Sequence, residues 1–434
     1  MTRVPRSLPV ILLGLLSLVT TQATAAVRVR VVRDTSTGDY RKARRMITGP
    51  DVNQHPGYPG CTGFVGWESV TRLKNGDLVC SFSAGYWHVS FPTPIDIKPD
   101  VLKSYIRSGF PRTIEAPTGG RALWRRSSDH GQTWSQPVTL VDSPGDDRHP
   151  VLVELDDGTL VVVFFVIDNW YGYDKPPPGR HKNSRVASVR STDAGKTWSR
   201  PVYMPSPFDY YDRMCGKPIV LPDGGILLST YGKETWTGPE QLGIYRSDDK
   251  GRSWKFVSRL KGTTGALDEP AITRTTAGEI VMIARPNGEI AFSKDNGRHW
   301  TQPVKTGLKM VAPCLLTLSD GTIVCLFGCG STGGLQMTWS DDHGRTWTVP
   351  RNDRGFPIDG SVYVYGIGTE MPDKSIFLVY YDPNGKQRQA TADGHLGAAS
   401  ADPRRPPGNR HSATGELTSG FAQQTAGPRH GHTS

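Results

Sequence analysis

Apolar residues along this chain come in short paired runs. Val70 to Cys80 reads as an apolar strand, a polar turn containing Gly76, and a second apolar strand. The same arrangement recurs from Leu152 to Phe164 around Gly158, from Ile219 to Leu228 around Gly224, and from Ala271 to Ala284 around Gly278. Leu315 to Phe327 around Gly321 and Ile367 to Val379 around Asp373-Lys374 complete the set. Runs of this length and composition, each broken once by turn residues, predict six β-hairpins.

A second repeat interleaves with the first. Ser127-Ser-Asp129-His-Gly131-Gln-Thr133-Trp134 returns as Ser191 to Trp198, Ser247 to Trp254, Ser293 to Trp300 and Ser340 to Trp347. Each copy reads Ser-x-Asp-x-Gly-x-(Thr/Ser)-Trp, with His299 in place of the hydroxyl residue in the fourth. A carboxylate accepts backbone N–H bonds inside a tight turn, Gly takes a positive φ, and Trp buries a large face beside it. The repeat is therefore predicted to staple hairpins, and its Asp and Trp residues are not read as catalytic.

Six hairpins, five of them followed by such a turn, describe six four-stranded units. Set in a ring, each sheet buries both faces against its neighbours, and closure removes exposed edges. The predicted fold is all-β, a six-bladed β-propeller over residues 50–385. Residues 27–49 either close the last blade or lead into it. Residues 386–434 carry few large apolar side chains beyond Leu396, Leu417 and Phe421 and are expected to form a disordered tail. Arg3 and Arg6, the apolar run Leu8 to Val19 and Ala23-Thr24-Ala25 form the pattern of a secretory signal peptide over residues 1–26. A secreted or periplasmic protein, not inserted in the membrane once the signal is removed, is expected.

Composition narrows the partners. The formal charge of +10 falls to +8 without Arg3 and Arg6, and the six Lys/Arg and three Asp/Glu of the tail take another +3, leaving about +5 on the body. No basic helix, zinc pattern or Lys/Arg run accompanies that charge, so nucleic acid is not an expected partner. Cysteines stand at positions 61, 80, 215, 314, 325 and 329. Cys325-x3-Cys329 lacks a second ligand pair, and nothing in the sequence requires a metal or cofactor.

In a propeller the inner strands converge on one central pocket. The residues just before each hairpin are Trp67-Glu68, Arg148-His149, Gly216-Lys217, Asp268-Glu269, Ala312-Pro313 and Tyr363 to Tyr365. The exits of the second strands add Tyr86-Trp87-His88, Asp168-Asn169-Trp170, Tyr231, Arg285 and Tyr381-Asp382. Aromatic walls with a few charged groups describe a sugar site, with a glycan as partner.

These motifs resemble the sialidase (neuraminidase) superfamily, in which the Ser-x-Asp turn is called the Asp box or bacterial neuraminidase repeat. The resemblance implies a bladed carbohydrate hydrolase and extends to about residue 385. Sialidases place a Glu nine positions before the hairpin Gly of a middle blade and an Arg seven after it. Glu269 and Arg285 stand at those offsets from Gly278, and Tyr365, nine before Lys374, stands where the family's nucleophile is. By this resemblance Tyr365 is the nucleophile, Glu269 its base and Arg285 a ligand of the substrate carboxylate. A sugar acid with its carboxylate on the anomeric carbon repels an Asp or Glu nucleophile, which suits a neutral phenol.

Two departures stand beside the matches. The family's first arginine precedes the first hairpin, where this chain has Gly66-Trp67-Glu68-Ser69, and its third precedes a late Asp box, where this chain has Gly330 to Gly334. Arg148 is the candidate substitute. The acid belongs to the stretch from Tyr86 to Gly120, which offers His88, Asp96, Asp100 and Glu115; alternatively Glu68 serves as an acid opposite Glu269 in a glycosidase of another specificity. Trp67, His149, Lys217, Asp268, His88 and Tyr363 are expected to line the substrate. The principal expectation is an exo-acting glycoside hydrolase cleaving a terminal acidic sugar. The alternatives are a polysaccharide lyase and a noncatalytic glycan-binding propeller.

Overall fold

The computed structural model describes residues 27–31, 45–49, 64–85, 120–168, 182–235, 237–263, 265–328, 334–351, 353–360, 365–382 and 395–401. All regular structure among them is β, arranged as a propeller of four-stranded antiparallel blades. The first blade is Phe64–Arg72, Leu78–Gly85, Arg121–Ser127 and Val138–Val141, in that order from the inside outward. The second runs from Asp146–Glu154 to Val202–Tyr203, and the fourth from Asp268–Arg274 to Val304–Lys305. The third differs in its inner strand, which is split into Asp212–Arg213 and Ile219–Val220. The fifth begins with Val311–Thr317 and ends with Thr346–Val349, along which Arg28–Val31 lies parallel.

The structure shows five such blades where the sequence suggested six, because the ring closes with a composite sheet. Its order is Ile367–Glu370, Ile376–Asp382, His395–Ala401 and Arg45–Thr48. Segments before the first blade and after the last hairpin thus enter the ring, and the boundary at residue 385 needs correction. Residues 27–49 supply strands to two sheets, and the propeller does not stop at residue 385. His395–Ala401 pairs with Ile376–Asp382 from Asp382↔His395 to Ile376↔Ala401. Composition misjudged this segment because main-chain ladder bonds need no large apolar side chains, and they satisfy an edge that would otherwise be open.

The cores lie between blades. Val79, Trp124 and Leu140 of the first blade pack on Leu152, Val162 and Phe164 of the second. A larger cluster joins Val70, Cys80 and Phe82 of the first blade, Leu326 and Met337 of the fifth, and Leu378 and Tyr380 of the closing sheet. Cys80, Cys215, Cys314 and Cys325 are buried free thiols within these layers. Among the described residues no helix is long and apolar enough to cross a membrane.

The five Asp-box turns form as their chemistry requires. In the first, Ser127 Oγ donates to Asp129 Oδ1 at 2.7 Å, and the Gly131 N–H donates to Ser127 Oγ at 2.9 Å. The Thr133 N–H and hydroxyl donate to the two carboxylate oxygens at 2.9 and 2.5 Å. In the fourth copy the ring Nδ1 of His299 takes the hydroxyl's place, 2.6 Å from Asp295 Oδ2. Each turn also meets the preceding blade: a Cβ on Gly131 would come within 2.4 Å of Phe377, so the first turn seals the ring against the closing sheet.

Candidate active site

The pocket is built by a repeated backbone distortion. The inner strands of the first, second, fourth and fifth blades slip register at Gly66/Ser69, Arg148/Val151, Asp268/Ala271 and Val311/Cys314. At each slip one residue takes a left-handed conformation: Trp67 (φ 50°), His149 (52°), Glu269 (45°) and Ala312 (47°); Tyr365 (48°) does the same at the entry to the closing sheet. All five stand nine residues before their hairpin turn residue, at 76, 158, 278, 321 and 374. Non-glycine residues seldom adopt this conformation, at a cost of about 1–3 kcal/mol each, and such strain collects at functional sites. It breaks the alternation of a flat strand and turns several of these side chains toward one another.

Their convergence is direct. Tyr365 Oη donates to Glu269 Oε1 at 3.2 Å. Glu269 Oε2 accepts the Ala312 N–H at 2.8 Å and faces Arg285 Nη1 at 3.2 Å. Asp268, opposite Arg285 in the strand ladder, approaches its Nε at 3.8 Å. Around the phenol stand His149 at 5.6 Å, Tyr381 at 6.0 Å and Trp67 at 6.4 Å between ring centroids. The structure brings Glu269, Arg285, Asp268, Tyr365, Trp67 and His149 together at one place.

Electrostatics assigns the resting states. Burial, followed by the charge of Glu269, pushes the Tyr365 phenol well above its ordinary range, so it keeps its proton and donates it. Burial drives His149 down to about 3, leaving a neutral imidazole. Burial and then Glu269 raise the Asp268 carboxyl to about 6, against the pull of Arg285.

Three expected members lie elsewhere. Arg148 is fully buried, paired with Asp146 at 2.7 Å through both Nε and Nη2 and stacked 4.3 Å over the Trp67 ring. It is already neutralised, so it does not replace a missing carboxylate-binding arginine. Lys217 donates its ammonium to the carbonyls of Val70 at 2.7 Å and Gly368 at 3.3 Å, tying the third blade to the first and to the closing sheet. It braces the ring and does not bind sugar. Glu68 is fully buried with neither carboxylate oxygen hydrogen-bonded. It sits near the Cys80 thiol, which is buried in the cluster shared with the closing sheet. It is not positioned as an acid opposite Glu269. His88, Tyr363, Asp96, Asp100 and Glu115 fall outside the described residues.

Other features escaped the sequence. The Ala312 backbone N–H and the Asp146 carboxylate carry no motif. Arg213 pairs opposite Tyr231 as Asp268 pairs opposite Arg285 and Arg148 opposite Phe165. Its Nε and Nη2 bond Ser184 Oγ and Asn183 Oδ1 at 2.8 Å, and it stacks 4.6 Å from the Tyr211 ring. Arg148 and Asp268 stand ten residues before their turn Gly, whereas Arg213 stands eleven before Gly224, and that one-residue offset hid the equivalence.

Comparisons with known proteins agree with this geometry. A model of the BNR repeat-like domain matches residues 121–352. A sialidase of Micromonospora viridifaciens is 26% identical over 356 residues, covering 71% of this chain and 52% of that protein. The chain spans about half the length of the curated relatives it matches. Among solved structures, a protein of unknown function from Dyadobacter fermentans superposes with a TM-score of 0.59 at 20% identity, covering 82% of this chain and 99% of that one. A variant of the NanB sialidase from Streptococcus pneumoniae gives 0.56 at 14% identity, with 77% and 68% covered. These two likenesses are of fold.

Proposed function

Since the chain belongs to the BNR repeat-like domain family, a sialidase-type β-propeller, we propose that it is an exported, exo-acting glycoside hydrolase that removes a terminal acidic sugar from glycans. The observation that carries this reading is the Tyr365 to Glu269 hydrogen bond, made between residues 96 apart in sequence. Tyr365 Oη attacks the anomeric carbon while its proton passes to Glu269, and the bond to the leaving oxygen breaks as that oxygen takes a proton from an acid of the 86–119 stretch. Water then reverses the sequence, with Glu269 returning the proton to the phenol. Arg285 pairs with Glu269 and offers the rest of its guanidinium to the sugar's carboxylate. The signal-like residues 1–26 fit delivery to a compartment where glycans are met.

Release of 4-methylumbelliferone from an α-sialoside tests the reading. Tyr365→Phe is expected to lose on the order of 10³-fold or more in kcat with the fold intact. Undiminished turnover by Tyr365→Phe refutes it. The pairing of Arg148 with Asp146 favours one second reading, hydrolysis of a glycoside with a less acidic sugar; a panel of neutral 4-methylumbelliferyl glycosides distinguishes the two.

A further inference from the structure

Arg285 carries more negative charge than one guanidinium serves well. Glu269 faces its Nη1 at 3.2 Å and Asp268 its Nε at 3.8 Å. The two carboxylates are not held alike. Glu269 is fixed by the Ala312 N–H and the Tyr365 hydroxyl besides Arg285. Asp268 Oδ1 is buried with no hydrogen-bond partner, and the longer contact to Arg285 is its one ion pair among the described residues. The groups around Asp268 are mostly unfavourable to its charge. Glu269 precedes the rest on its own strand, Glu240 approaches from the third blade, and Tyr231 and Cys215 lie within electrostatic reach; Arg285, across the ladder, is the one cation acting on it among the described residues.

An acidic sugar entering this site would bring a third carboxylate to the same guanidinium. Three anions about one cation in a partly dry pocket cannot all remain charged without a large electrostatic cost. The least costly relief is to protonate the anion held least well. We propose that Asp268 sets how an acidic sugar is admitted: its carboxylate competes with the sugar's for Arg285, and the sugar binds with Asp268 as the neutral acid. This rests on the acidic-sugar reading given above. Binding then takes one proton from solvent onto an Asp268 oxygen, and the new O–H donates to the sugar carboxylate while the Nε edge of Arg285 turns to it. The arrangement resembles any carboxyl pair forced to share a site, in which one member holds a proton. Burial and Glu269 already raise the Asp268 carboxyl to about 6, so the uptake is nearly complete at neutral pH.

Calorimetric titration of the full chain with the methyl α-glycoside of N-acetylneuraminic acid, at pH 7 in phosphate and in Tris, reads the proton directly. The wild type is expected to take up close to one proton per sugar, and its apparent affinity to fall about tenfold per pH unit above about pH 6. Asp268→Asn is expected to bind with no linked uptake and a flat profile from pH 6 to 8; Asp268→Ser repeats the measurement if the amide perturbs folding. Binding by the wild type without uptake, or equal uptake in both variants, overturns the proposal. Failure of every protein to bind the sugar acid also overturns it, and Tyr365-dependent hydrolysis of a neutral glycoside would then leave the glycosidase reading standing. Loss of both binding and all hydrolysis removes that reading as well.

Discussion

Glu68 offers a quantitative test of the seam that closes the ring. Its side chain is fully buried near Cys80, on the strand that packs against the closing sheet, with both oxygens unpaired, and burial pushes its carboxyl from 4.5 up to about 8. The folded chain therefore holds a proton there that the unfolded chain gives up at neutral pH. For a group raised on folding, stability is fully present below the unfolded value near 4.5 and is lost as pH rises through about 8. At about 1.4 kcal/mol per pH unit, the loss is about 3 kcal/mol at pH 7 and about 5 kcal/mol in full. Glu68→Gln keeps the shape and removes the titration. Urea unfolding of both proteins at intervals from pH 4.5 to 9 gives the difference curve, in which Asp147, His149 and Asp268 cancel. The difference at pH 4.5 reads the penalty of burying an amide, and its growth toward pH 8 reads the charge. Wild type and Glu68→Gln should diverge by about 1.4 kcal/mol per unit, the variant gaining. A difference that stays flat within about 0.5 kcal/mol from pH 5 to 8 would show Glu68 solvated or paired, and the packing of the seam would be wrong.

Substitutions at three further positions probe the backbone and the staples. Lys374 holds the turn position at φ 70° that Gly occupies in the other five hairpins, so Lys374→Gly should stabilise by about 0.5–1 kcal/mol in urea unfolding, and a loss above that size would contradict the turn geometry. Asp342 accepts from the Ser340 hydroxyl and from the Arg345 and Thr346 N–H groups; Asp342→Ala should cost about 1–2 kcal/mol in the same assay, and no change would remove the stapling role. At Ala312, φ 47° and 2% exposed, Gly relieves about 1–2 kcal/mol of strain but forfeits a buried methyl and gains freedom when unfolded, so Ala312→Gly should lie within about 1 kcal/mol of wild type while Ala312→Val costs about 2 kcal/mol or more.

What the sequence revealed follows from where repetition is enforced. The hairpin turns and Asp boxes lie together at one end of the blades, as Lys250 of a box meeting Asp157 of a hairpin and Arg345 meeting Glu279 show. Every blade solves the same hydrogen-bonding problem there, so the same residues recur and the architecture is readable. The pocket lies at the other end, where each blade contributes a different group. The offset of nine that the family resemblance implies for Glu269 and Tyr365 coincides with a backbone distortion at a constant distance from each turn. Side-chain fate was not readable in the same way. Arg148 stands ten before its turn and Lys217 just ahead of its hairpin, yet one is quenched by Asp146 two residues earlier and the other is drawn to carbonyls of two distant sheets. Glu68 adjoins Trp67 but is fully buried with neither carboxylate oxygen bonded. The strand His395–Ala401 escaped composition because backbone pairing holds it to Ile376–Asp382.

The two ends of the blade also explain each other energetically. Five residues at the pocket hold left-handed conformations that each oppose folding, and no local motif at those positions relieves them. What fixes them must act from a distance. The inner strand that carries each distortion continues into a hairpin whose turn is bonded to the next blade, as Lys74 binds Glu154 and Asp156, and Ser319 binds Glu370. With one end of the strand pinned and its faces packed on both neighbours, the slip has no register to relax into without unpacking two interfaces. Rigidity at the stapled end thus permits strain at the open end, and the strain lets Glu269 and Tyr365 from separate sheets meet at hydrogen-bond distance. The same logic accounts for a pocket whose chemistry varies between blades while the frame repeats: a substitution at the ninth position changes what faces the centre but leaves the pinned turn and packed faces as they were.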